Sequence, residues 1–331
     1  MVTERETPTP GEAVPGARPP RPWRAALRFV MLGLFLAFIA VLLARQWGEV
    51  RPLLGRLSLP AVVAAAAAVL GGLFATFLSW RAVLADLGAP LPLAGAMRIF
   101  FLGQLGKYLP GSIWPALAQM ELGRDYRVPQ RASGAALLVT LLLSVGSGLV
   151  VCIPTLPLLG EEAWDTYWWT LAVLPLAIVA ATPPVLNRLL GVALRLARRA
   201  PLPTPLSSAG ILRATGWSLV SWLLFGVQVW VLALRLGAGG GPLLLVQSAG
   251  AFAGAWCIGF LLVVAPAGAG VREAALILLL GAATSRPQAT VISVVSRLLF
   301  VVADLAWGGF AVLAERRRRA GGQRGRRATS M

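Results

Sequence analysis

The stretch PAVVAAAAAVLGGLFATFLSW, residues 60–80, decides the fold class of this chain. It holds no charged residue, and it is longer than the roughly 18 apolar residues that can cross the hydrocarbon core of a membrane as a helix. Its apolar residues do not alternate with polar ones, as they would in the strands of a membrane barrel. The stretch therefore predicts a transmembrane helix.

Similar apolar runs recur along the chain and predict further transmembrane helices. They lie at about Ala25–Ala44, Ala132–Ile153, Trp168–Leu186, Thr215–Leu234, Pro242–Val264 and Gln288–Leu313. Of the 331 residues, 57% are hydrophobic and only 13% are charged, which is half the charged share of a typical soluble domain. We expect an all-α polytopic membrane helix bundle of about seven to eight transmembrane helices, with additional broken or re-entrant segments.

The chain is divided into three regions. Residues 1–22 are rich in Pro, Thr, Glu and Gly, and are expected to form a disordered cytoplasmic tail. Residues 23–314 are expected to form the transmembrane domain. Residues 315–331 carry a run of arginines and are expected to form a basic cytoplasmic tail.

The formal net charge of +17 comes from arginines in the loops and tails between the apolar runs. In a membrane protein this pattern marks cytoplasmic loops, so no nucleic-acid partner is expected. The distribution of these arginines places both termini in the cytoplasm and predicts a multi-pass protein of the cell membrane. Two cytoplasmic termini require an even number of crossings, so the short helix after Pro266 is expected to complete an eighth. A basic face also attracts anionic lipid headgroups.

Histidine is absent, which excludes Ser-His-Asp catalysis, Cys-His dyads and most zinc sites. We expect no metal site, no cofactor and no catalytic residue. Cys152 and Cys257 lie inside apolar runs, where small packing residues are common. The heavy use of Ala, Gly, Pro and Arg is typical of a GC-rich bacterial genome.

The first broken segment is GQLGKYLPGSIWPALAQMELGRD, residues 103–125. Pro110 and Gly111 divide it into pieces that are too short to span a membrane. A helix that begins near Ser112 would direct free N–H groups towards the break, and the ammonium group of Lys107 could reach the same point, which together suit a phosphate. Gln104 and Glu121 are further candidates for an intramembrane polar network. The alternative is a cytoplasmic hairpin whose charges face water.

The second broken segment is PAGAGVREAAL, residues 266–276. Arg272 can hold a phosphate through two parallel hydrogen bonds, and the dipole of the helix that follows favours Glu273 near its start. Adjacent helical residues point about 100° apart, so each is expected to pair elsewhere, with Arg297 or Asp304 as candidates. The alternative is an interface position with snorkelling side chains.

Arg297 and Asp304 lie seven residues apart in the last predicted span, which places them on one face. We expect that face to look into the bundle. A structural ion pair with the second broken segment and a role in binding a ligand both remain open.

The two broken segments, followed by Arg297, resemble the lysylphosphatidylglycerol synthase transmembrane-domain family, whose members are also called flippase-like domain proteins. The resemblance covers about residues 25–313. In residues 266–273 it departs from the family's Pro-Gly-Gly-x-Gly-x-Arg-Glu pattern, because Ala267 and Ala269 stand where glycine is common. It implies a bundle of about eight helices that acts on lipids. Full-length synthases of this family flip aminoacylated phosphatidylglycerol and carry a cytoplasmic transferase domain, which this chain is expected to lack, so it should not aminoacylate a lipid itself.

The resemblance leaves the lipid open between an anionic phospholipid and a polyprenyl phosphate, since some relatives are linked to polyprenyl-phosphate sugar pathways. The first hypothesis is therefore a translocator that holds a lipid phosphate with Lys107 and Arg272. In this hypothesis Glu273, Arg297 and Asp304 exchange partners within the bundle.

Two other hypotheses belong to different functional classes. A membrane transferase that uses a polyprenyl-phosphate sugar would need acidic groups on the outer face, where the candidates are Glu49, Glu161, Glu162 and Asp165. A non-transporting protein would dock a cytoplasmic enzyme through its arginine-rich loop and tail. Replacing the four acids by amides tests the first of these, and truncation after Ala314 tests the second.

Overall fold

The computed structural model describes residues 47–108, 113–159, 165–166, 168–196, 198–202, 204–261 and 270–328, with the side chains of Glu49 and residues 317–328 excepted. These residues form α-helices and short 3-10 turns, and no strand occurs among them. The predicted span at Ala25–Ala44, the tail at residues 1–22, and the predicted phosphate ligands Gly111 and Ser112 lie outside the described residues, as do Glu161 and Glu162.

Eleven α-helices follow one another along the described residues. They are α1 Trp47–Arg56, α2 Leu59–Asp86, α3 Leu93–Gln104, α4 Trp114–Arg124, α5 Gln130–Cys152, α6 Val173–Ala180, α7 Pro183–Leu196, α8 Ser208–Arg235, α9 Pro242–Leu261, α10 Val271–Leu279 and α11 Arg286–Ala328. The 3-10 turns are Leu105–Tyr108, Ile153–Leu159 and Trp168–Ala172.

Five of these helices are long and apolar enough to cross a membrane within the described residues. They are α2, α5 with the turn that continues it, α8, α9 and the part of α11 up to Arg316. Each coincides with a run predicted from the sequence. The prediction of an all-α polytopic helix bundle is confirmed.

The segment predicted as a span at Trp168–Leu186 is not one straight helix. The segment instead consists of Trp168–Ala180 and α7, which meet at an angle of 73°. Two consecutive prolines, Pro183 and Pro184, begin α7. Proline lacks an N–H group and disfavours helical backbone in the residue before it, so one straight helix cannot continue through this point. Counted as one span, the bent pair brings the candidate spans to six.

Small residues allow the spanning helices to approach closely. On α8, Gly226 faces Ala249 of α9, and on α2, Gly72 faces the ring of Phe225 in α8. Close approach of backbones over small residues is how helices associate in lipid, where no hydrophobic driving force acts between them. The extensive pairing of α2 with α8 forms the centre of the bundle.

Polar contacts define the two faces of the bundle. At one face, Asp86 near the end of α2 accepts hydrogen bonds from the backbone N–H and the hydroxyl of Ser207, which caps the start of α8. We call this the basic face, because Arg124 at the end of α4 and Arg131 at the start of α5 lie at the same end of the bundle. At the opposite face, the side chain of Gln288 in α11 donates to the carbonyl of Leu236 at the end of α8.

The first broken segment is a helical hairpin that enters the bundle from the basic face. Its arms are α3 and α4, and they approach at three levels: Gly95 faces Tyr126, Gly103 faces Gln119, and Gly106 faces the Trp114–Pro115 backbone. The spacing in sequence narrows at each level, as it must in an antiparallel pair. An ion pair of 2.8 Å between Arg98 and Asp125 joins the arms at their base. The segment therefore consists of two short helices, as its predicted division at Pro110 and Gly111 requires.

Residues 266–269 of the second broken segment lie outside the described residues, and the remainder forms the start of α10. Helix α10 packs antiparallel to α9, since Gly259 faces Arg272 and Gly254 faces Leu279. Its end leads to the start of α11 at the face opposite the basic face. With nine residues, α10 extends only about 14 Å and cannot cross the membrane alone.

Candidate functional site

The tip of the first hairpin contacts α11. The ammonium of Lys107 lies 2.7 Å from the carboxylate of Asp304, and the hydroxyl of Tyr108 donates to the same carboxylate at 2.5 Å. Only 3% of the Asp304 side chain is exposed, against 28% of Lys107. Lys107, predicted as a phosphate ligand, is therefore neutralised by a buried acid in this structure.

The start of α10 contacts α11 about two turns away. Nε of Arg297 lies 3.5 Å from a carboxylate oxygen of Glu273, and both side chains are nearly buried. The other oxygen of Glu273 accepts the backbone N–H of Gly270 at 2.6 Å, so this acid also caps its own helix. The expected partner Arg297 therefore pairs with Glu273, whereas the expected ion pair of Arg272 with Asp304 is not formed among the described residues.

Arg272 differs from the other cations of the site. Its guanidinium carbon lies 4.6 Å from the ring centre of Phe252 and 4.9 Å from that of Phe300, and the two rings stack 5.4 Å apart. Among the described residues, no carboxylate lies within ion-pair distance of Arg272. Aromatic faces hold a guanidinium without using its hydrogen-bond donors, so those donors stay available for an anion.

Helix α11 brings the two broken segments to one site. Arg297 and Asp304 lie on one face of α11, as the seven-residue spacing predicted, and each binds a different segment. Arg272 also lies within electrostatic range of Arg297, of the carboxylates of Glu273 and Asp304, and of Tyr108. Lys107, Arg272 and Arg297 carry three positive charges, and Glu273 and Asp304 carry two negative ones. The described site therefore has one excess positive charge.

A narrow crevice opens at this cluster. Its walls are formed by Arg272, Glu273, Leu276, Ser293, Ser296 and Arg297. It has room for about one water molecule. Behind it, the hydroxyl of Ser296 donates to the side-chain carbonyl of the fully buried Gln228 at 3.1 Å. The arrangement can hold a small anionic group only where the packing around Arg272 opens.

The structure does not bring every predicted residue into the cluster. Glu121 is 69% exposed and pairs with Arg124 one turn further along α4. Gln104 is partly buried at the end of α3, one turn before Lys107.

Sequence reasoning missed several residues of the site. The two phenylalanines that hold Arg272 are ordinary apolar residues of their helices, although Phe300 follows Arg297 by one turn and so shares its face. Gln228 is a polar residue inside an apolar span, which is a signal that could have been used. Tyr108 stands next to Lys107 in the quoted segment.

Together, the spanning helices, the two broken segments and the buried charge cluster define an integral membrane protein with a polar site inside the bundle. Residues 29–308 match the family described as the lysylphosphatidylglycerol synthase transmembrane region. The match covers most of the chain, and the protein belongs to this family. Among curated proteins, no match was found.

Proposed function

We propose that this protein moves a lipid with an anionic phosphate group across the membrane, and that Arg272 binds the phosphate. The lipid is an anionic phospholipid or a polyprenyl phosphate, which share this chemistry. The observation that carries the proposal is the environment of Arg272: two aromatic rings hold it, and no acid among the described residues lies within ion-pair distance of it.

The charge of the site supports an anionic ligand. A charged side chain at the centre of a bilayer costs about 2.5–3.5 kcal/mol on insertion scales, and such residues are retained where they act. Two of the three cations here are neutralised by Glu273 and Asp304. The phosphodiester of phosphatidylglycerol carries one negative charge, which would neutralise the remaining one, and the monoester of a polyprenyl phosphate carries up to two, which would exceed it.

The geometry supports movement across the membrane. The two broken segments reach α11 from opposite faces. The site between them is therefore separated from each face of the membrane by only one short segment. Broken helices that meet near the middle of the membrane are the common construction of transport sites. A phosphate that arrives at Arg272 would compete with Glu273 and Asp304 for the neighbouring cations.

The tight packing requires that the charged residues of the site exchange ion-pair partners when a phosphate binds. The crevice beside Arg272 holds about one water molecule, so a phosphate fits only when an ion pair around it separates. Opening from one face would separate Lys107 from Asp304, and opening from the other would separate Glu273 from Arg297. The headgroup would pass through the bundle while the acyl or prenyl chains stay in the bilayer.

A reconstituted transport assay tests this function. The purified protein is placed in vesicles with fluorescent phosphatidylglycerol, fluorescent phosphatidylcholine or a fluorescent polyprenyl phosphate, and each lipid's exchange between leaflets is followed with a membrane-impermeant quencher. We expect accelerated exchange of at least one of the two anionic lipids, loss of that exchange in Arg272→Gln, and partial recovery in Arg272→Lys.

The matched control is Arg213→Gln, which removes an exposed arginine from the first turns of α8. It should exchange lipid like the unmodified protein. Equal rates for Arg272→Gln and the unmodified protein would reject the assignment of Arg272. Exchange no faster than in protein-free vesicles, for all three lipids, would reject the transport function itself.

A further inference from the structure

Helix α7 lies at the basic face and turns away from the spanning direction. Its axis makes an angle of 73° with the segment Trp168–Ala180 that precedes it. The side chain of Asn187 in its second turn forms hydrogen bonds with both the carbonyl and the N–H of Leu206, at 3.0 and 2.8 Å. Leu206 directly precedes the cap of α8 at the basic face, so these bonds fix the start of α7 at that level.

The surface of α7 is divided into three stripes. Leu186 and Leu190 are buried against the bundle. Leu189, Val192 and Leu196 form an apolar stripe that is 46%, 41% and 81% exposed. Arg188 and Arg195, seven residues apart, form a third stripe that borders the apolar one. An apolar stripe beside an arginine stripe is the pattern of helices that lie in a membrane surface.

The charge around α7 has a single sign. Arg188, Arg195, Arg198 and Arg199 are all exposed, and no acidic residue occurs between residues 183 and 199. None of the four arginines takes part in an ion pair among the described residues. The positive potential of this segment is therefore free to act on negatively charged groups outside the protein.

We propose that α7 lies in the plane of the membrane at the basic face and binds the anionic headgroups of phospholipids in that leaflet. Leu189, Val192 and Leu196 enter the boundary of the acyl chains, and the four arginines lie at the level of the phosphates. Clustered basic residues at a membrane surface attract anionic lipid over about a Debye length. This surface is separate from the site at Arg272 and does not depend on the transport function.

Spin labels at single cysteines test the position of α7. The full chain, with Cys152→Ala and Cys257→Ala, carries Val192→Cys, Leu196→Cys or Gly191→Cys in nanodiscs. The last is the matched control, because Gly191 lies beyond the arginine stripe and a side chain there meets open space. We expect labels at positions 192 and 196 to contact lipid-soluble oxygen, and the label at 191 to contact a water-soluble relaxation agent.

Either uniform result overturns the proposal. Three labels that all contact the aqueous agent would place α7 in water, where its exposed apolar stripe would instead suit a protein partner. Three labels that all contact oxygen would place it inside the hydrocarbon core as part of a span.

Retention of lipid tests the headgroup contacts independently. The protein is purified from an equimolar mixture of phosphatidylglycerol and phosphatidylcholine, and the bound lipids are counted by native mass spectrometry. Replacement of Arg188, Arg195, Arg198 and Arg199 by Gln should remove up to about four phosphatidylglycerol molecules, one for each arginine. The control replaces the same number of exposed arginines near the opposite face: Arg51, Arg56, Arg235 and Arg286.

The control set should lose fewer phosphatidylglycerol molecules than the α7 set. Equal losses would show that retention follows net charge alone, and no loss from the α7 set would show that its arginines do not bind headgroups; both results overturn the proposal. Unchanged thermal unfolding of each set confirms that the variants are folded.

Discussion

Lys107, at the tip of the first re-entrant hairpin, forms a 2.7 Å ion pair with Asp304 in the middle of α11. Tyr108 donates to the same carboxylate, so one buried acid receives both polar side chains of the hairpin tip. This contact fixes how deeply the hairpin enters the bundle. It also neutralises a cation that would otherwise be available to an anionic ligand.

The first prediction concerns the stability that Asp304 provides. In Asp304→Asn the amide can still accept the Tyr108 hydroxyl, but the charge that balances Lys107 is lost. Removing one partner of a buried pair costs about 3 kcal/mol, and the partial exposure of Lys107 reduces this to about 2 kcal/mol. Thermal or chemical unfolding in detergent measures the loss.

The control for this variant is Asp125→Asn, which breaks the ion pair with Arg98 at the base of the same hairpin. Since 51% of the Asp125 side chain is exposed, water screens that pair and the loss should be no more than about 1 kcal/mol. A smaller effect at Asp304 than at Asp125 would contradict the view that the tip contact holds the hairpin in place.

The second prediction concerns the charge of the site. Glu273→Gln keeps an oxygen that can accept the Gly270 N–H but removes the negative charge beside Arg297. The excess positive charge then doubles, so the purified variant should retain more anionic lipid than the unmodified protein. Transport should slow, because a tightly held ligand leaves slowly.

Native mass spectrometry measures the retained lipid, and the vesicle assay measures its exchange. Stability should fall by about 3 kcal/mol because Arg297 loses a buried acid. Retention equal to or below that of the unmodified protein would show that the charge balance does not govern anion binding at this site.

The sequence predicted the spans because each is a continuous apolar run, and it predicted the hairpin because Pro110 and Gly111 interrupt one. It did not predict the direction of α7, since hydropathy contains no information on the angle between two consecutive helices. Here the pair Pro183–Pro184 was the available signal.

Partners were harder to predict than positions. The spacing of Arg297 and Asp304 fixed their common face, but periodicity within one helix carries no information on which distant segment packs against that face. The contact of Lys107 with Asp304 arises from packing between elements far apart in sequence. For the same reason Phe252 and Phe300 could not be recognised as the residues that hold Arg272.

The third prediction concerns Gln119 in the first hairpin. Its side chain is fully buried against Gly103, and neither amide atom has a hydrogen-bond partner among the described residues. A buried amide without a partner costs about 1–3 kcal/mol, so Gln119→Met, which keeps the unbranched shape, should stabilise the protein by about 1 kcal/mol. Unfolding in detergent measures the gain.

Gln247→Met is the control, because that glutamine is only partly buried and its amide donates to the carbonyl of Leu158. It should give no gain. A loss of stability in Gln119→Met would mean that the amide binds a partner, such as a buried water, which a thioether cannot replace.

The fourth prediction concerns the contact between α8 and α9. A β-carbon at Gly226 would lie 2.5 Å from the β-carbon of Ala249 and 2.7 Å from its α-carbon, which belongs to the rigid backbone of α9. Gly226→Ala therefore forces the two helices apart and should cost about 1–3 kcal/mol.

Gly216→Ala is the matched control in the same helix, since nothing lies within 4 Å of its added carbon. It should stabilise the protein by about 0.5–1 kcal/mol, because alanine loses less conformational entropy than glycine when a helix forms. Because α9 also positions Phe252 against Arg272, Gly226→Ala should slow lipid exchange in the vesicle assay, whereas Gly216→Ala should leave it unchanged. Equal stability of the two variants would show that α8 and α9 are not in contact at Gly226.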